Sequence, residues 1–151
     1  MNDKTLRLYR LSKPELLGYP DIFVLSDPTG ELIRGACGTN PNPKRMSDDK
    51  PWNECFAQCA CGTYVFKCWV SQKHGKCLKV NDGGKVPTTN IDPNTWTKFA
   101  TAVECHKGDT LFNRGSIACF TWYPPLWDTF ISYFAMDETG ILILQEGQPP
   151  V

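Results

Sequence analysis

Three observations predict a mainly β domain: a sandwich or barrel of short antiparallel strands with one or two short helices, stabilised by disulfides. Apolar and polar residues alternate over several short stretches, the pattern of strands with one buried face. Gly, Pro, Asn and Asp punctuate those stretches at close spacing. The chain also carries eight cysteines in 151 residues, an even number and a high one for a reducing compartment.

The elements follow in chain order. Residues 6–11, LRLYRL, alternate as a half-buried strand does. Residues 22–25, IFVL, are a short buried run leading into Asp27-Pro28-Thr29-Gly30, a β-turn signature, and then into ELIRG. In residues 48–62, Asp48 or Asp49 can cap a helix, Pro51 suits its first turn and Gly62 its end. Trp52, Cys55, Phe56 and Cys59 then share one apolar stripe. TYVFKCWV and KCLKV form a further hairpin. Asp92 and Pro93 open a second helical pattern with Trp96, Phe99, Ala100 and Val103 on one stripe, although its Thr and aromatic content also suits a strand. SIACFTW reads as a strand. FISYFAM and ILILQ flank Asp137-Glu138-Thr139-Gly140, and shared turn chemistry is the simplest reason for the second Asp-x-Thr-Gly. Spans 35–50 and 81–94, rich in Pro, Gly, Asn and Thr, read as loops. The expected organisation is a single compact domain, 1–151, with a flexible C-terminal tail at 146–151.

Sixteen Lys and Arg balance sixteen Asp and Glu, so the formal charge is zero. That argues against nucleic acid and against an anionic membrane surface as partners. Lys67, Lys73, Lys76, Lys79 and Lys85 give the middle of the chain a basic character, the solvated face of a hairpin. The longest uncharged apolar-rich run, 115–127, contains two prolines and falls short of the roughly 20 residues that span a bilayer. Charged residues from Asp3 to Glu15 interrupt any secretory signal. The chain is then either cytoplasmic or a mature secreted protein supplied with a start methionine, and its cysteines favour the second.

Cys37, Cys55, Cys59, Cys61, Cys68, Cys77, Cys105 and Cys119 are the disulfide candidates, with 105 possible full pairings. A helical Cys55-x-x-x-Cys59 facing strand cysteines resembles the cysteine-stabilised αβ motif of small toxins and defensins, although Cys59-Ala60-Cys61 overlaps the helix end instead of lying on a later strand. The alternative is a structural zinc site. No Cys-x-x-Cys occurs, and Cys61, Cys68, His74 and Cys77 are the nearest ligand set. A third reading makes the cysteines small buried hydrophobes.

Catalytic signals are sparse. There is no Gly-x-Ser-x-Gly, phosphate loop or His-Glu-x-x-His, and Cys105 and His106, as strand neighbours, point to opposite faces. LYRLSKPE, residues 8–15, resembles the Tyr-Arg strand that opens ADP-ribosyltransferase toxins. That resemblance implies an extracellular enzyme in which Arg10 holds a nicotinamide dinucleotide. The family's Ser-Thr-Ser strand and Glu-x-Glu pair have no counterpart here. Binding is better supplied. FTWYPPLWDTF sets Trp122, Tyr123, Trp127 and Phe130 around Pro124-Pro125, which hold the backbone extended as a rigid aromatic loop. The leading expectation is a small secreted, disulfide-stabilised binding protein, an effector, toxin-like or defence-related module without a cofactor. It recognises a protein or carbohydrate through that loop, with Lys73 and Lys76 as further contacts.

Overall fold

A computed structural model describes residues 3–11, 18–40, 58–89, 99–109 and 119–151. The protein is mainly β. Strands β1 (Thr5–Arg10), β2 (Asp21–Asp27), β3 (Gly30–Gly38), β5 (Gly62–Ser71), β6 (Gly75–Val80), β9 (Glu104–Lys107), β10 (Phe120–Trp122) and β11 (Thr139–Glu146) close into a barrel. Their spatial order is β1-β11-β5-β6-β9-β10-β3-β2. Strands β4 (Gln58–Cys59), β7 (Val86–Thr89) and β8 (Phe99–Ala100) form a separate small sheet. The wall is not paired along its whole length: β3 meets β10 only at Cys37 and Gly38.

The hairpins β2–β3 and β5–β6 are antiparallel, as their turn residues predict. The C-terminal hairpin is not formed. Strand β11 instead runs parallel to β1 and antiparallel to β5, so the last strand joins the first to close the barrel. A second parallel pair, β9 and β10, lies elsewhere in the wall. FISYFAM falls partly in helix α1 (Pro124–Ile131) and partly in the segment after it. The expected helix over 48–62 lies mostly outside the described residues, but its last turn is not helical, because Gln58 and Cys59 pair with Thr89 and Thr88. Phe99 and Ala100 of the second helical pattern are likewise in a strand, paired with Pro87 and Val86.

Helix α1 corrects the reading of Pro124-Pro125. Both prolines occupy the first helical positions, where a missing N–H costs nothing and a fixed φ is already helical. The helix turns Trp127, Phe130 and Ile131 into the barrel. Phe23, Trp122 and Phe130 pack with ring centroids 4.5 to 5.1 Å apart, and Phe134 bridges Phe130 at 5.2 Å to Phe66 at 5.4 Å. Leu6, Leu8, Leu25, Leu78, Leu142 and Leu144 complete this core. Each such side chain contributes roughly 1.5–3 kcal/mol on burial.

The two Asp-x-Thr-Gly segments use their glycines differently. Gly30 has φ +129°, a conformation that excludes side chains, whereas Gly140 has no positive φ. A methyl group at Gly140 would overlap the Phe66 ring and come within 2.7 Å of the Lys4 carbonyl. One glycine serves a turn and the other makes room for the core.

No disulfide joins any two of the described cysteines, and the expectation of disulfide stabilisation has no support among them. Cys55 lies outside the described residues. No helix among the described residues is long and apolar enough to cross a membrane.

Phe130 is fully buried at the centre of the ring chain, so Phe130→Ala should lower unfolding free energy by about 3–5 kcal/mol. Urea denaturation measures this, and a loss below about 1 kcal/mol would remove that ring from the core.

The barrel mouth as candidate functional site

The start of β1, the β2–β3 turn and the segment between α1 and β11 meet at one mouth of the barrel. Lys4 Nζ joins the first to the last, donating to Glu138 Oε2 at 2.6 Å and lying 5.6 Å from the centre of the Phe134 ring. Both Asp-x-Thr-Gly segments line a single cleft of about 590 Å³, whose walls include Asp27, Thr29, Met136, Asp137 and Glu138 beside Asp3 and Lys4. Met136 is 47 % exposed there, an apolar side chain amid carboxylates.

The charges are held in place. Thr29 donates both its N–H and its hydroxyl to Asp27 Oδ1, at 2.8 and 2.6 Å, and these bonds keep the Asp27 carboxyl below the usual range. Burial opposes the charge on Glu138, but the Lys4 ammonium and the Ala135 N–H outweigh it and lower its pKa. Asp137 is exposed and 3.9 Å from Lys67. Four carboxylates thus face one internally neutralised lysine, which leaves the cleft net acidic.

Beside this mouth the β5–β6 hairpin runs on past the barrel wall. Pairing of β5 with β11 stops at Lys67↔Thr139, while β5–β6 pairing continues to Ser71↔Gly75. Val70 occupies the same face as buried Phe66 and Cys68, yet it is 60 % exposed because the core ends beneath it. Lys76, opposite Val70, donates to the Phe134 carbonyl at 2.6 Å. At the tip, Ser71 Oγ accepts from the N–H groups of Lys73 and His74, at 3.1 and 2.9 Å.

The tip folds back onto β9. His74 stacks on His106 with centroids 3.7 Å apart and ring planes within 7°. Glu104, two residues before His106, accepts from Trp69 Nε1 at 2.9 Å and from Cys77 Sγ at 3.5 Å, and lies 3.8 Å from His74 Nε2. His106 Nδ1 is 2.7 Å from the Lys107 carbonyl, which can only accept, so this nitrogen carries the hydrogen. Burial pushes the His106 pKa down to about 4. It lowers that of His74 as well, against the pull of Glu104.

The residues expected to bind fare unevenly. Trp122, Trp127 and Phe130 are not an exposed loop: they are buried, because the prolines start a helix that enters the core. Tyr123 is half-buried, edge-on to Tyr19 at 5.7 Å. Lys73 is exposed at the hairpin tip, whereas Lys76 is engaged on the Phe134 carbonyl.

The zinc set is not assembled. Cys68 pairs with Leu78 and Cys77 with Trp69, so alternation puts the two sulfurs on opposite faces of the sheet. Among the described residues no group of three or more His, Cys, Asp or Glu is placed to hold a metal ion. Arg10 is 6 % exposed, and its guanidinium donates to Thr39 Oγ1 at 2.9 Å, the Thr39 carbonyl at 2.9 Å and the Cys59 carbonyl at 2.8 Å. Its donors tie β1 to the segment after β3 and to β4, with Thr39 also held by Asp21.

Sequence reasoning treated the carboxylates of the two turns as local structure and missed the cleft. The repeated Asp-x-Thr-Gly was its only signal, because turn residues collect at barrel ends.

The thiols should separate by reactivity. Cys61 is exposed, while Cys68, Cys77 and Cys105 are fully buried, with burial raising the Cys77 pKa to about 12. Alkylation followed by peptide mass analysis should label Cys61 in the native protein and the other three only in denaturant. Stability should also depend on His106. Unfolded, it binds its proton near the ordinary 6.5; folded, near 4, so the unfolded chain holds more protons between those values. Stability contributed by neutral His106 is complete above about 6.5 and falls by on the order of 3 kcal/mol as pH drops to 4. Urea midpoints from pH 7 to 4.5 should fall more steeply in the wild type than in His106→Phe, and equal slopes would refute this account.

No family model matches this chain, and no curated protein and no solved structure matches it either.

Proposed function

We propose that this protein acts by binding, and that it takes a cationic segment of a protein partner at the acidic mouth of the barrel. The cleft of about 590 Å³ carries this reading, because its carboxylates come from three separate parts of the chain and surround an exposed methionine. An arginine or lysine side chain offers the matching charge and an alkyl stem for Met136 and Ala135. Asp27 and Asp137 are the contact residues, with Asp3 at the rim; Glu138 is already paired with Lys4. A protein partner is favoured over a carbohydrate because Trp122, Trp127 and Phe130, the rings expected to meet a sugar face, lie in the core. The extracellular setting expected from the cysteines has lost its disulfide argument among the described residues, and the binding reading stands without it.

Capped tripeptides with a central arginine, leucine or glutamate test this directly by calorimetric titration. The arginine peptide should bind best, more weakly at high salt, and Asp27→Asn with Asp137→Asn should weaken it by about tenfold. Equal affinity for the three peptides would refute the proposal.

A further inference from the structure

We propose that the stacked His74 and His106 rings form a proton-operated latch that holds the tip of the β5–β6 hairpin against β9. The latch rests on the geometry of the tip and not on the ligand of the cleft. Little else described fastens the tip. On the β5 side, bonds to the barrel end with the Cys68 N–H on the Glu138 carbonyl and the Asp137 N–H on the Cys68 carbonyl. On the β6 side, pairing with β9 covers only Leu78 and Lys79. The Ser71 hydroxyl bonds lie within the tip, and Lys76 ties its base to Phe134. Just below the tip, Trp69 and Cys77 donate to Glu104 of β9. Beyond that pair, among residues 71–76, His74 is the described contact with β9, through the His106 ring and Glu104.

Closed, the latch keeps His106 only 3 % exposed beneath the His74 ring. Its Nδ1 is engaged on the Lys107 carbonyl, so Nε2 is the nitrogen that takes up a proton. The groups facing the two rings are Glu104 on β9 and Asp109 just after it, which favour the charged forms, and Lys73 and the opposite imidazole, which oppose them. Burial decides the balance, and both rings resist protonation while stacked. Opening hydrates them and returns each toward its ordinary affinity for protons. Protons therefore favour the open tip by linkage. Counting His106 alone, each pH unit below about 6.5 shifts the equilibrium toward opening by roughly tenfold, until the stacked ring itself titrates near 4. Two protons on rings at this separation also repel each other directly. Val70 and Lys73 travel with the tip, so acid changes how this edge of the mouth is presented.

Hydrogen exchange of the amides of residues 71–76 reads the latch without any partner. Rates are expressed as protection against the intrinsic rate at each pH, with Leu6 and Leu142 amides as core references. Protection at the tip should fall at least tenfold from pH 7 to pH 5 and stay well below that of the core references at every pH, because the tip opens without global unfolding. In His74→Phe/His106→Phe, which keeps two stacked rings without a titrating nitrogen, tip protection should change less than about twofold. Constant tip protection in the wild type, or tip protection equal to that of the core, as exchange by global unfolding alone would give, overturns the latch. So does an equal fall in the double variant. If that variant does not fold, His74→Phe alone should weaken the pH dependence, and an unchanged dependence is equally fatal.

Discussion

A closed eight-stranded barrel encloses a volume that its own walls must fill, and here a line of aromatic rings fills it. Phe23, Trp122, Phe130, Phe134 and Phe66 run across the interior from strand to helix to strand. Much of the remaining architecture is an accommodation of that line. Helix α1 exists to deliver Phe130 and the rings around it, so it begins on prolines that can follow β10 without a loop. Gly35 lets Leu126 of the helix approach β3, and Gly140 lets the Phe66 ring lie against β11. Trp122 accepts a cost for its place: its indole N–H is buried without a hydrogen-bond partner among the described residues, as is the Thr121 hydroxyl beside it. The area buried by an indole outweighs one lost hydrogen bond, which explains why the ring stays inside.

The candidate site is a consequence of how this filling ends. After α1 the chain has to return to the barrel mouth to start β11, and residues 135–138 make that return in a tight turn with Asp137 at φ 66°. The turn brings Met136, Asp137 and Glu138 against the start of β1 and the β2–β3 turn. Carboxylates are suited to such turns because they accept hydrogen bonds from nearby backbone N–H groups. Asp27 does this within its own turn, and Glu138 does it to Ala135. Local chemistry placed them there, and closure of the barrel gathered them. The overshooting hairpin has the same origin: β5 is longer than the partner strand β11 covers, so its final residues leave the wall and need another anchor, which His106 supplies.

What was legible in the sequence follows the same division between local and distant. LRLYRL, IFVL, TYVFKCWV, KCLKV and ILILQ were readable as strands because alternation reports which face is buried. The β2–β3 and β5–β6 hairpins were readable because their partners are adjacent in the chain. Parallel pairing of β1 with β11 was not, since alternation names a face and never a partner more than a hundred residues away. Pro124-Pro125 misled because the same fixed φ suits an extended loop and a first helical turn, and the aromatic residues that follow fit either. The first Asp-x-Thr-Gly was correctly read as a hairpin turn, whereas the second enters β11 at Thr139 and closes no hairpin, and the cleft they share depends on a closure that no local signal carries.

The cysteines make the same point from the side of packing. In each of several places the strand register sets a buried cysteine opposite a large side chain on the same face. On the interior face Cys37 faces Trp122, Cys68 faces Leu78, and Cys105 faces both Phe120 and Leu78, while Cys77 faces Trp69 on the outer side of the wall. A barrel wall that curves around bulky rings needs small apolar partners beside them, and interiors of small barrels alternate large and small residues for that reason. A leucine at Cys37 would crowd Trp122; a serine would bury a hydroxyl needing a partner. A thiol is small, weakly polar and content without a hydrogen bond. The even cysteine count, the strongest compositional argument for a disulfide framework, is thus answered at the three interior positions by volume. Burial that holds such thiols protonated also keeps them chemically quiet.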